Sequence, residues 1–123
     1  MTYSGTLCTE ANVDMFTGAG VSASFTQDMK SEAVLMAEGY VCALSRRNWV
    51  SLYSGLTTAL KRILSEYCAR AAAVAGVAYS MAGYTSRLEA ENMIAVHLRR
   101  MFNIETLLRD SAVVKFLGGG DAA

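Results

Sequence analysis

A single reversal point governs what this chain can fold into. Met81-Ala82-Gly83-Tyr84-Thr85-Ser86-Arg87-Leu88-Glu89 separates two long stretches of helix-forming residues in a sequence that contains no proline. Gly83 can take the positive φ that ends a helix, and Ser86 with Glu89 has the Ser-x-x-Glu spacing of a capping box that begins the next one. The stretches on either side therefore predict an antiparallel helical hairpin. At 123 residues the chain has room for one core and one domain.

The apolar periodicity extends the helical reading to most of the chain. Ser24 and Gln27 offer a second cap, and Met29, Ala33, Met36, Ala37, Tyr40, Val41 and Leu44 follow at spacings of three and four, predicting a first helix over 25–45. Arg46-Arg47-Asn48-Trp49 interrupts that pattern. A second helix is expected over 50–80, with Ser51 and Ser54 as possible caps, Leu52, Leu56, Leu60, Ile63, Leu64 and Tyr67 as its stripe, and an alanine-rich end that lets a neighbouring backbone come close. A third, over 87–109, carries Leu88, Ile94, Leu98, Met101, Leu108 and either Ile104 or Glu105 along one side, and Asp110-Ser111 can start a short helix over 112–117. Residues 1–24 show no sustained period and read as an extended N-terminal arm, with a short extended piece at 13–16. Residues 118–123 read as a flexible tail. The expected fold is all-α: a bundle of three long helices plus a short C-terminal one over 25–117, preceded by the arm.

Charge narrows the possible functions. Basic and acidic residues balance at 11 each, which leaves no global field to hold nucleic acid or a membrane surface. The distribution is nevertheless uneven: Glu10, Asp14, Asp28, Glu32 and Glu38 face only Lys30 in residues 1–38, whereas Arg46, Arg47, Lys61, Arg62, Arg70 and Arg87 face only Glu66 in residues 39–88. Such an asymmetry is met by pairing inside one subunit or between subunits. Cys8, Cys42 and Cys68 are odd in number and widely spaced, which fits buried apolar groups better than a disulfide framework. The start of the chain lacks a basic and apolar leader, and the most apolar run, 71–79, is far shorter than the roughly 20 residues needed to span a bilayer.

Individual chemical motifs weaken when set in context. Phe16-Thr17-Gly18-Ala19-Gly20-Val21-Ser22-Ala23 is similar to the nucleotide loop of sirtuin deacylases, yet a dinucleotide site at Gly18 and Gly20 needs a strand before it, a helix after it and a surrounding βαβ unit. His97 has Met93 and Met101 as its helical neighbours, so it reads as a core or interface histidine and not as a metal ligand. Glu89 and Glu91 point to different faces of one helix and form no carboxylate pair. Arg46, Arg47 and Trp49 could clamp a phosphate and stack on a base, although Trp49 reads equally as a packing anchor. No enzyme, metal or cofactor is expected from these residues.

A wider likeness carries the functional expectation. Ala37-Glu38, Arg47-Asn48-Trp49, the alanine-rich end of the second helix, Gly83-Tyr84-Thr85-Ser86-Arg87-Leu88-Glu89 and the closing Leu107-Leu108-Arg109-Asp110 with Phe116-Leu117 together resemble the helical head-to-tail adaptor (connector, or head-completion) proteins of tailed bacteriophages. That resemblance, over about 25–117, implies a virion neck protein made in the host cytoplasm. Copies of it, commonly twelve, would form a ring beneath the portal, extend the DNA channel without reading sequence, and meet a tail or stopper protein. It also implies that Val113, Val114, Phe116 and Leu117 dock on the portal, although the glycines at 118–120 carry few side chains with which to grip one. In such a ring Glu32 and Glu38 of one copy would meet Arg62 and Arg70 of the next, while Gly83, Ser86 and Glu89 hold the hairpin. The alternative is a small cellular bundle that binds nucleic acid or a regulatory protein, with Arg46, Arg47 and Trp49 as its contact residues.

Overall fold

The computed structural model describes residues 5–17, 25–79, 87–110 and 113. All regular structure among them is helical: α1 (Glu10–Thr17), α2 (Gln27–Ser45), α3 (Trp49–Leu52), α4 (Thr58–Tyr79) and α5 (Arg87–Arg109), with a 3-10 turn at Tyr53–Gly55.

The starts of α1 to α4 are each set by a short polar side chain. Thr9 and Asn12 cap α1 reciprocally, the Thr9 amide donating to Asn12 Oδ1 at 2.9 Å and the Asn12 amide to Thr9 Oγ1 at 3.2 Å. Thr26 Oγ1 accepts from the Met29 amide at the head of α2, so the cap is Thr26 and not the expected Ser24. Asn48 caps α3 through the Ser51 amide, and Thr57 Oγ1 accepts from the Leu60 amide where α4 begins. The end of α2 is equally well defined. Arg46 adopts a left-handed conformation (φ 59°), and the Arg47 amide reaches back to the Cys42 carbonyl at 3.2 Å, a Schellman closure built without glycine.

Three expectations are corrected. The N-terminal arm is not extended where it is described: α1 occupies its centre, and Leu7, Cys8, Val13 and Thr17 are buried. The helix expected over 50–80 is two helices, because after Gly55 the backbone turns extended at Leu56 (ψ 153°) and α4 needs a fresh cap from Thr57. The buried line of α5 runs through Ala90, His97, Ile104 and Leu108, whereas Leu88 and Leu98 face solvent. Gly83, Ser86, Val114, Phe116 and Leu117 lie outside the described residues, as do the expected C-terminal helix apart from Val113 and the tail. Glu89 is exposed in the first turn of α5, where a carboxylate favours the helix dipole.

At the centre lies α4. Leu60, Leu64, Cys68, Ala69, Ala72, Ala73 and Val77 are fully buried along it, and α5, α1 and α2 pack around it. The pairing with α5 is antiparallel: Tyr67 meets Glu105, Arg70 meets His97, and Val77 clusters with Ala90. Small residues permit this closeness. A Cβ on Gly76 would stand 2.6 Å from the Phe25 ring, which is itself buried against α4. Trp49 is wholly buried at the α2–α3 corner, its Nε1 donating to Ser45 Oγ at 2.7 Å.

Candidate functional site

The α2 helix carries two apolar lines, and the bundle covers only one. Val34, Ala37 and Val41 enter the core, while Met29, Ala33, Met36 and Tyr40, at spacings of four, three and four, border an open groove whose floor is Ala71, Ala75 and Ala78 of α4. Met101 and Glu105 of α5 close one end, around a hollow of about 540 Å³. Towards the other end the walls are Phe25, Met29 and Met36 around about 580 Å³, with the carboxylates of Asp28 and Glu32 at the edge. Met36 is 71% exposed and Tyr40 54%, so this apolar surface is presented to solvent. Leu98 and Phe102, one turn apart on the solvent side of α5 next to Met101 and Glu105, are also exposed. Tyr67 donates its hydroxyl to Glu105 Oε2 at 2.8 Å; burial and this carboxylate push its pKa well above the ordinary tyrosine range, so the phenol stays protonated. A surface of this shape can hold an apolar peptide or helix, and it brings together no nucleophile and base.

A polar cluster occupies another flank, where α1, α4 and α5 meet. Glu66 accepts from Arg70 Nε at 2.7 Å and from Arg100 Nε and Nη2 at 3.0 and 3.1 Å. Burial alone would raise the Glu66 pKa, but the two guanidinium groups outweigh it and hold the carboxyl below its ordinary value. Arg70 also lies 4.4 Å over the Phe16 ring and bonds His97 Nδ1 at 2.9 Å, while His97 Nε2 lies 3.2 Å from the Phe16 carbonyl. A carbonyl only accepts and a guanidinium only donates, so the ring is neutral with its proton on Nε2. Burial, reinforced by Arg70, depresses the His97 pKa against the opposing Phe16 carbonyl. The expected core histidine is thus found, acting as a bolt between α1 and α4.

The residues expected to join subunits divide into two pairs. Glu38 is buried and accepts the Thr6 and Leu7 amides on a single oxygen at 2.6 and 2.7 Å, and Arg70 is held by Glu66 and His97. Both are therefore corrected from surface contacts to internal ones, because backbone and side-chain partners of the same chain already satisfy them. Glu32 remains exposed on the groove edge and Arg62 on the flank beside Asn12 and Met15. Lys30, the one basic residue of 1–38, binds Asp14 at 2.7 Å and Glu10 at 3.5 Å, so this pairing lies within the acidic third and not between the thirds.

The proposed nucleic-acid residues do not form a reading surface. Trp49 is inaccessible, and Arg47 is buried with its guanidinium 5.9 Å from the Trp49 ring, leaving Arg46 alone exposed. Gly18 and Gly20 lie outside the described residues. Cys8 and Cys68 are buried and Cys42 partly so, all as free thiols; burial first, then the neighbouring Cys8, Glu38 and Cys42, raises the Cys68 pKa far above that of a reactive thiol. Among the described residues no group of three His, Cys, Asp or Glu side chains could hold a metal ion, and no helix is long and apolar enough to cross a membrane.

Comparison with protein-family models, curated proteins and solved structures finds no match for this chain.

Proposed function

We propose that this chain is a structural assembly subunit of the head-to-tail adaptor kind. Its copies associate as a ring in the neck of a tailed-phage virion, beneath a portal and above a tail or stopper protein, around passing DNA. The observation that supports this reading best is the solvent-facing groove over α4, whose exposed Met36 and Tyr40 make an apolar surface of the sort that marks protein contact sites. Of the contact residues of the nucleic-acid alternative, Arg47 and Trp49 are buried and Arg46 is exposed, and the one histidine is spent on holding α1 to α4 and α5.

The test is native mass measurement combined with charge exchange. Glu32→Arg, at the groove edge, and Arg62→Glu are each expected to lower the mass of the purified particle, since these are the exposed members of the complementary set. A protein of monomer mass at every concentration, both alone and with a portal protein, refutes the assembly role.

A further inference from the structure

We propose that the groove receives residues 113–117 of a second copy of this chain. This inference rests on the assembly reading above and gives the C-terminal segment a partner other than the portal that the resemblance assigns to it.

Shape and charge both select that segment. The groove is walled by Met29, Met36 and Tyr40, floored by alanines, and edged by the carboxylates of Asp28 and Glu32. Its complement is a short apolar strand or helix with a single cation, and Val113-Val114-Lys115-Phe116-Leu117 is that combination within residues 111–123. Length agrees as well. From Met29 to Tyr40 the α2 wall runs about 17 Å at 1.5 Å per residue, and five extended residues reach about the same.

Direction favours a second copy over the chain's own tail. The α4 and α5 helices are antiparallel and α5 leaves the groove beyond Glu105, the last of its residues to line it. At the exit the Val113 amide donates to Asp110 Oδ1 at 3.4 Å. Entry into its own groove would require reversal at that same point. Exchange of this kind, each copy giving a segment to one neighbour and receiving one from another, is the head-to-tail arrangement that repeats and closes into a ring.

The experiment uses the full chain in four forms: unmodified, Met36→Glu in the groove, Phe116→Asp in the segment, and both substitutions together. Met36 is 71% exposed, so its replacement leaves the core intact, and circular dichroism of each variant checks this. The unmodified chain is expected to associate, each variant alone to run as a monomer, and an equimolar mixture to yield a one-to-one heterodimer, since one partner keeps a groove and the other a segment. A labelled peptide of residues 110–120 is expected to bind the Phe116→Asp chain and to bind at least about tenfold more weakly to the chain carrying both substitutions. An associating parent whose variants associate equally, or a mixture without the heterodimer, overturns this inference while leaving the assembly reading intact. A parent that is monomeric throughout overturns both.

Discussion

Replacing Glu38 separates two roles that a carboxylate on α2 could have, one in the fold and one at a subunit boundary. Its single oxygen accepts two short bonds, from the buried Leu7 amide and the more accessible Thr6 amide. Hydrogen bonds to a charged acceptor contribute roughly 1.5–3 kcal/mol each, and water can replace the acceptor at Thr6 but not at Leu7. Recovery of the desolvation cost of a buried charge offsets part of the loss. Glu38→Ala is therefore expected to cost about 3 kcal/mol, whereas Glu38→Gln, which keeps a carbonyl oxygen in place, costs about 1–2 kcal/mol. Urea unfolding monitored by circular dichroism measures both, with an unchanged m-value showing that the same surface unfolds. Amide exchange at Leu7 is expected to quicken selectively, because residues 6 and 7 lose their tether to α2. If Glu38→Ala stays within about 0.5 kcal/mol of the parent and only association is lost, the carboxylate belongs to an intersubunit contact and the internal clamp is wrong.

Four other outcomes follow from the same geometry. Gly76→Ala improves helix propensity by about 1 kcal/mol but drives a methyl to 2.6 Å from the buried Phe25 ring; a net loss of about 1–2 kcal/mol is expected in thermal unfolding, relieved by adding Phe25→Leu. Arg46→Gly relieves the left-handed backbone at the end of α2 and is expected to raise stability by about 0.5–1 kcal/mol by urea titration. Because the folded state holds His97 below its ordinary value of 6.5, the unfolded chain takes up a proton there first as pH falls; stability is full above 6.5 and declines below it, and His97→Gln is expected to flatten the slope of unfolding free energy between 6.5 and the carboxylate range. Association through the groove is expected to persist from about 0.1 to 1 M salt, whereas a ring held mainly by surface charges loses mass over that range.

The paired helices were legible where composition and period agreed. The α4–α5 pair follows from the small residues before position 80, and the burial of His97 from its methionine neighbours, whereas the apolar line after 87 misplaces Leu88 and Leu98, which face solvent. Other features were hidden for physical reasons. Leu52, Leu56 and Leu60 keep a spacing of four straight through the interruption, so periodicity carries the eye past Gly55 and Thr57, where the backbone turns. The α1 helix has only eight residues, too few for a convincing stripe, and Asn12 takes the place that a capping-box search reserves for Glu or Gln. The role of Glu38 is hidden because its partners are backbone amides, which have no letter in the sequence. The groove is not legible in the sequence because Met36 and Tyr40 share the three-and-four spacing of core positions, and such spacing records apolar character without recording what covers it.

Taken together, the internal pairings explain why the groove is left to do the recognising. Glu10 and Asp14 are engaged by Lys30, Glu66 by Arg70 and Arg100, and Glu38 by the backbone, so these carboxylates are satisfied within the chain. Surface ion pairs contribute little to affinity, whereas exposed methionine, tyrosine and phenylalanine side chains gain free energy when another copy covers them. The few carboxylates at the groove edge, Asp28 and Glu32, then act as selectors: they add little attraction, but they reject an acidic apolar segment and accept one that carries a lysine. Affinity comes from the alanine-floored trough and choice of partner from its rim, and both are set by the α2 helix, one of whose apolar lines holds the bundle together while the other stays open to a partner.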